Sequence, residues 1–133
     1  MTAIRAAEPY DLSRLMAFDS FPGERIAEIV DRRMLVAEVD GIIAGYIAWQ
    51  TAGCIGMDYV NKLVVDPHYR RQSIAQSLIR ALNSALTGRV FISTGEDNLA
   101  AIRLLAVTEW RPAGQIVGLR PAGTAEIFYY RDL

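Results

Sequence analysis

The chain has 133 residues, 52% of them apolar, and a formal net charge of −1. That length and apolarity suit a single domain over residues 1–133 with a core of its own and exclude a disordered chain, while the near-neutral balance gives no electrostatic reason to expect nucleic acid or an anionic membrane as partner. The one cysteine, Cys54, excludes an internal disulfide framework, no stretch approaches the ~20 apolar residues that span a bilayer, and Met1–Arg5 lacks the apolar run of a signal peptide, so a cytoplasmic domain is expected.

Ile4-Arg5-Ala6-Ala7 reads as a short strand and Pro9 to Phe18 as a helix, with Leu12, Leu15 and Met16 on one face. Phe21-Pro22-Gly23 breaks that pattern, and Glu24 to Arg33 reads as a second helix burying Ile26, Ile29 and Val30. Met34 to Val39 is a strand, Asp40-Gly41 a hairpin signal, and Ile42 to Gln50 the return strand. Thr51-Ala52-Gly53 reads as another turn, followed by a long strand from Cys54 to Val65 that stops at Asp66-Pro67. Ile74, Leu78, Leu82 and Leu86 recur every four residues, the stripe of an amphipathic helix that Thr87-Gly88 ends. Val90-Phe91-Ile92-Ser93 is a short strand, and Asn98 caps a helix running to about Val107. Gly114 to Leu119 and Ala125 to Tyr130 are the last strands, joined through a turn at Arg120 to Thr124. The order β-α-α-β-β-β-α-β-α-β-β predicts a mixed α/β sheet, with a βαβ unit around the Ile74 helix rather than a regular Rossmann alternation.

The most informative stretch is Val64 to Ile79, where an apolar strand meets a proline-marked turn, two arginines and a helix that opens on small residues. A helix start leaves several N–H groups without intrahelical partners and carries partial positive charge. Beside it, Arg70 and Arg71 make a site for a phosphate or pyrophosphate.

The element order and several motifs resemble the GNAT superfamily of N-acetyltransferases over nearly the whole chain. Arg70-Arg71-Gln72-Ser73-Ile74-Ala75 matches the family's acetyl-coenzyme A signature, Arg/Gln-x-x-Gly-x-Gly/Ala, and Leu63 to Tyr69 matches its lead-in. Ser93 to Arg103 is similar to the family's strand, asparagine and helix near the cofactor, and Glu126 to Tyr130 to its final strand. The resemblance implies an α+β fold: a mixed, mostly antiparallel central sheet of about six to seven strands flanked by about four helices. It also implies that acetyl-CoA binds between the strand ending at Val65 and the strand starting at Val90. The backbone of Leu63, Val64 and Val65 would pair with pantetheine, the loop and helix start from Arg70 through Arg71, Gln72, Ser73, Ile74, Ala75, Gln76 and Ser77 would cradle the pyrophosphate, and Asn98 would touch the pantetheine arm. An amine of a small molecule or peptide would then attack the thioester directly.

Three positions depart from the family pattern. Ser73 replaces the first signature glycine; if the backbone demands positive φ there, serine costs roughly 1–2 kcal/mol, whereas a helical conformation costs little. Leu105 occupies the position of the tyrosine that protonates the leaving thiolate in many members, and Thr108-Glu109-Trp110 replaces Leu-Gly-Phe, removing a glycine C-cap. Tyr46, Tyr59, Tyr129 and Tyr130 are the phenols available to substitute for the missing acid. The base that takes the amine's proton should be a carboxylate reached directly or through water. Asp58 and Glu38, on central strands, are the candidates, with Asp19 in the loop between the first two helices, which the resemblance implies borders the acceptor groove. His68 reads as a solvated turn residue, Cys54 as an inert thiol, and no residue spacing suits a metal. Two other readings remain open at this stage, a catalytically weak acyl-CoA-binding or sensing module and a scaffold without cofactor, as does a homodimer through the C-terminal strands.

Overall fold

Among the described residues, seven strands and four α-helices follow one another as β1 (Thr2–Ala6), α1 (Leu12–Met16), α2 (Ile26–Val30), β2 (Met34–Val39), β3 (Ile42–Cys54), β4 (Met57–Val65), α3 (Ile74–Ala81), β5 (Arg89–Gly95), α4 (Leu99–Val107), β6 (Arg111–Ile116) and β7 (Glu126–Asp132). The computed structural model describes residues 2–19, 21, 25–70 and 73–133. The strands form one sheet in the order β1-β2-β3-β4-β5-β7-β6. β4 and β5 run parallel, as the predicted βαβ unit requires, while β1–β2, β2–β3, β5–β7 and β6–β7 are antiparallel. The chain packs as two compact units, Met1–Trp49 with Lys62–Ala81, and Gln50–Asn61 with Leu82–Leu133.

In the first unit Leu15, Ile29, Met34, Val36, Tyr46 and Ala48 form a buried cluster on which Leu12, Phe18 and Val64 pack. The opposite face of β3 has no room to spare at Gly45, where a Cβ would lie 2.8 Å from the Val64 carbonyl oxygen and 3.3 Å from Ile74 Cγ2. Ion pairs tie the shorter elements down. Arg5 grips Asp11 through two hydrogen bonds of 2.8 and 2.9 Å and reaches Glu38 Oε1 at 2.7 Å, and Arg14 donates to Asp66 Oδ2 at 2.5 Å. The Arg5 hydrogen bond holds the Asp11 carboxyl below its ordinary range against the opposing effect of burial. Burial pushes Asp66 up, but the His68 N–H and the Arg14 guanidinium outweigh it and leave the carboxyl at about 2. A depressed carboxylate stabilises the fold fully above its unfolded pKa, about 4, and that contribution disappears as pH falls through the folded value. Melting followed by circular dichroism is therefore expected to hold steady from pH 7 to about pH 4.5 and to weaken steeply between about pH 4 and pH 2, with D66N flattening that decline.

The second unit has its core on one face of β4, β5 and β7, where Val60, Val90, Ile92 and Tyr129 are buried, and Leu105 of α4 is buried as well. β6 is the outer strand and all six of its residues are exposed. Pro112 sits there without loss, because an edge position need not donate a ladder hydrogen bond.

Several boundaries differ from the sequence reading. The first helix begins as a 3-10 turn over Pro9–Asp11, because the Asp11 carboxylate is drawn back onto the Glu8 N–H at 2.7 Å. α2 ends early, at Val30: Arg32 takes φ 59, and the N–H groups of Arg32 and Arg33 return to the carbonyls of Ile29 and Glu28, a Schellman closure without glycine. Glu24, predicted to start that helix, and Pro22-Gly23 lie outside the described residues. Thr51-Ala52-Gly53 is not a turn. β3 continues through it, and the chain reverses at Ile55-Gly56, whose φ values of 49 and 84 are those of a type I′ turn, as are 51 and 83 at Asp40-Gly41. α3 stops at Ala81 and tightens into a 3-10 turn over Leu82–Ser84. β6 starts at Arg111 rather than Gly114, since pairing with β7 from Arg111↔Tyr130 to Ile116↔Glu126 sets its register.

Candidate active site

The loop after β4 is built by the aspartate that ends the strand. Asp66 Oδ1 accepts the His68 N–H at 2.9 Å and the Tyr69 N–H returns to the Asp66 carbonyl at 2.8 Å, so Pro67–Tyr69 folds as a single 3-10 turn that delivers an exposed Arg70. Arg71 and Gln72 lie outside the described residues. Ser73 then takes φ 58 and α3 begins. The first of the sequence's two alternatives for this serine therefore holds: the backbone demands the left-handed conformation, and a β-carbon is tolerated in it at a cost. The first i→i−4 hydrogen bond runs from the Ser77 N–H to the Ser73 carbonyl at 3.0 Å, with the Ser77 hydroxyl donating to the same oxygen at 3.1 Å. The N–H groups of Ile74, Ala75 and Gln76 precede that bond and have no intrahelical partner by helix geometry. The Gln76 side-chain Oε1 accepts from Arg80 Nη1 at 3.1 Å. Replacing Ser73 with glycine is expected to raise stability by about 1 kcal/mol, read by urea denaturation, because the left-handed penalty is removed.

The carboxylates singled out from the sequence are occupied. Glu38 is the Arg5 partner already described. Asp58 Oδ1 accepts the Ala52 N–H at 3.1 Å and so holds the irregular end of β3, where Ala52 takes φ 56. Asp19 is buried in a cluster of three. Its Oδ2 accepts from Arg25 Nε at 2.6 Å and from the Tyr46 hydroxyl at 2.7 Å, its Oδ1 accepts the Phe21 N–H at 3.0 Å, and both the Asp19 and Arg25 side chains are 1% exposed. Burial and the Asp19 carboxylate push the Tyr46 phenol well above its ordinary pKa, which removes Tyr46 from the candidate acids. Tyr129 is buried, and Tyr130 lies beneath the Arg89 guanidinium, 4.2 Å from the ring centre. Asn98 caps α4, its Oδ1 accepting the Ala101 N–H at 3.2 Å. A further buried pair escaped the sequence reading: Lys62 of β4 donates to Glu28 Oε1 of α2 at 2.7 Å, and Glu28 Oε2 has no hydrogen-bond partner among the described residues.

The remaining phenol, Tyr59, heads a chain of polar groups that the sequence did not bring together. Tyr59 is paired with Phe91, and Ser93 lies two residues further along the same face of β5. The Tyr59 and Ser93 hydroxyls are 2.7 Å apart, the Ser93 hydroxyl donates to Glu126 Oε2 at 2.7 Å, and Arg120 holds Glu126 Oε1 at 2.7 Å. Ser93 has one proton, and the ionised carboxylate only accepts, so that proton points at Glu126 and Tyr59 must donate to Ser93. The chain is thus polarised from Tyr59 toward Glu126 and leaves the lone pairs of Tyr59 Oη to accept from an incoming donor. The signal present in the sequence was a polar Ser93 and Glu126 on otherwise apolar strands. Only the β5–β7 register, with Gly95 opposite Glu126 and Ser93 opposite Phe128, reveals that they meet.

The profile of the Acetyltransferase (GNAT) family matches residues 4–107. The chain belongs to that family. No curated protein matches the sequence. Among solved structures, the fold is similar to a GNAT-family acetyltransferase from Bacillus cereus ATCC 10987 at 22% identity and TM-score 0.89, covering 99% of this chain and 97% of that one. It is similar to the ribosomal-protein-S18-alanine N-acetyltransferase of Escherichia coli at 19% identity and TM-score 0.80, over 99% and 94% of the two chains. It also resembles yncA from Salmonella typhimurium, solved with its cofactor acetyl-CoA, at 16% identity and TM-score 0.83, over 100% and 94%. Among the GNAT departures, Leu105 is 2% exposed and belongs to the core, so it carries no acid function. The missing C-cap glycine is replaced in kind: Glu109 takes φ 69, and the N–H groups of Glu109 and Trp110 return to the carbonyls of Ala106 and Leu105 at 3.2 and 3.0 Å. Trp110 is buried where the sequence pattern places an aromatic residue. No helix of the described residues is long and apolar enough to cross a membrane.

Proposed function

We propose that this GNAT chain, acting as one domain over residues 1–133, is an N-acetyltransferase that moves the acetyl group of acetyl-CoA to a primary amine of a small molecule or peptide. The observation that carries the reading is Ser73, whose φ of 58 turns the chain into α3 through the left-handed conformation that glycine adopts freely, so a signature position filled by serine still takes a glycine-type backbone. The residues fit a diphosphate: Arg70 is exposed, and the N–H groups of Ile74, Ala75 and Gln76 open the helix. Arg71, Gln72 and Ser77 belong to the same cradle in this reading, Leu63, Val64 and Val65 offer strand backbone to the pantetheine amides, and Asn98 orients the arm. Acetyl-CoA supplies a thioester whose carbonyl carbon takes the amine's lone pair, the C–S bond breaking as coenzyme A leaves as thiolate, a tolerable leaving group near neutral pH that takes its proton from water.

The chain's own task is to receive the proton the amine gives up. Asp58 and Glu38 are engaged in structural bonds, and the polarised chain from Tyr59 through Ser93 to Glu126 is the group suited to the role. Tyr59 Oη accepts the amine proton as its own passes to Ser93 and that of Ser93 to the carboxylate. The resemblance to yncA, solved with acetyl-CoA, and to the alanine N-acetyltransferase of Escherichia coli supports the cofactor and the amine as acceptor.

The test combines calorimetric titration of acetyl-CoA with a thiol-release assay over an amine panel. Micromolar binding with amine-dependent release of coenzyme A is the expected result. Binding without turnover of any amine assigns the chain as an acyl-CoA-binding module, the reading that the absence of an acid at Leu105 favours.

A further inference from the structure

Side chains alternate along the strands of the second unit. Val60, Val90, Ile92 and Tyr129 are buried on one face, so Tyr59, Phe91, Phe128 and Tyr130 stand on the other, each only half-buried. The Tyr59 and Phe128 ring centres are 6.3 Å apart and those of Phe91 and Tyr130 6.2 Å apart, so this face of the sheet is an aromatic floor. A groove of about 490 Å³ opens over the Phe91 and Phe128 part of this floor, walled further by Cys54, Ile55, Met57 and Ile116. Among the described residues, the only charged one in its lining is Arg89. That guanidinium is already neutralised by two hydrogen bonds of 2.8 and 2.9 Å to Asp132 and covered by the Tyr130 ring.

The rim carries a second, independent sign of selection. Ile55 is the first residue of the β3–β4 turn, at φ 49, and is 97% exposed. A β-branched residue is disfavoured in that conformation, where asparagine or aspartate before glycine is the usual choice. It also gains nothing from burial. Neither local conformation nor packing explains an isoleucine there, whereas an apolar wall for the groove does.

We infer that this groove holds the apolar substituent of the acceptor, and that the substrate class is a primary amine bearing an aromatic or branched aliphatic group. The inference rests on the acetyl-transfer reading. Phe128 lines the groove and its ring pairs with that of Tyr59 at 6.3 Å, so the groove adjoins the residue that heads the proton relay. No unneutralised charge is offered to a carboxylate or an ammonium on the substituent itself.

Acetyl transfer to 2-phenylethylamine and to ethanolamine tests the inference, with peptides beginning in Phe and in Ser as a second pair that separates a free small amine from a chain N-terminus. kcat/KM is expected to favour the apolar member of at least one pair by about 30-fold, the order of discrimination an apolar pocket supplies. I55N installs the usual Asn-Gly turn and is expected to raise Tm by about 3 °C while cutting that preference at least about threefold, a combination a merely structural role for Ile55 does not produce. I116D is expected to bring the preference close to one.

Equal kcat/KM within both pairs, or a preference untouched by both substitutions, overturns the groove while leaving the transferase standing. If no amine is turned over, the transferase reading fails, and saturation-transfer NMR of 2-phenylethylamine with the wild-type protein decides the groove separately. Transfer lost in I116D upholds it, and no transfer overturns it. A protein that sediments as a dimer in the wild type and as a monomer in I116D assigns the groove to a second copy and also overturns the inference.

Discussion

Phenylalanine at position 59 is expected to lower kcat/KM for any accepted amine by about 10²-fold to 10³-fold, within the range for loss of a proton-transfer group. The substitution removes one oxygen and keeps the ring that meets Phe128 at 6.3 Å, so acetyl-CoA affinity measured by calorimetry and the melting temperature are expected to stay near wild type. The proton then has to leave directly to water, which moves the rising limb of the pH–rate profile to higher pH. E126Q is the companion change. It keeps the shape of the relay's terminus but removes the charge that fixes the direction of the Ser93 hydroxyl and pairs with Arg120, and it is expected to reproduce the kinetic loss of Y59F. An unchanged kcat/KM in both variants would show that the amine gives up its proton elsewhere, and the buried Glu28–Lys62 pair is then the next group to test.

Arg25→Met is expected to destabilise the first unit by about 3–5 kcal/mol, measured by urea denaturation, because it leaves the Asp19 carboxylate buried without its counter-charge. Arg25 also donates to the Tyr46 hydroxyl at 3.0 Å and to the Phe21 carbonyl at 2.8 Å, and these bonds tie Phe21 and Arg25 to Tyr46 of β3. Adding D19N to R25M removes the stranded charge and is expected to recover a good part of the loss. If the double variant is no more stable than R25M, the cost lies in lost packing of the arginine stem rather than in the uncompensated carboxylate.

The order of elements was legible in the sequence because each rests on a local signal: alternation in the strands, a four-residue stripe from Ile74, an asparagine cap at Asn98, and Asp40-Gly41 at a turn. The Thr51-Ala52-Gly53 turn misled for an equally physical reason. Small residues mark a turn only when the backbone actually reverses there, and this segment instead stays in β3 as an irregular stretch, its Ala52 at φ 56 and held by Asp58. Isoleucine before Gly56 carries no turn signal at all, so the real reversal was invisible. The entry to α3 was legible because the strand end, the proline turn and the helix start are contiguous in sequence. The Tyr59–Ser93–Glu126 chain was not, since its members come from three strands and meet only through the register of the sheet. Charge alone made Glu38 and Asp58 look reactive, but a carboxylate on a strand is as readily held by an arginine or a backbone N–H as left free.

Among the described residues, Arg32, Asp40, Ala52, Ile55, Ser73 and Glu109 all hold positive φ without being glycine. Each such position costs on the order of 1 kcal/mol, yet the fold tolerates all of them. The molecule therefore carries unused headroom. Substituting glycine or asparagine at Arg32 and Glu109, in helix-closing turns, offers a direct route to a thermostabilised protein, and a laboratory evolution campaign begun from such a background could accept more disruptive changes around the apolar groove before losing its folded state.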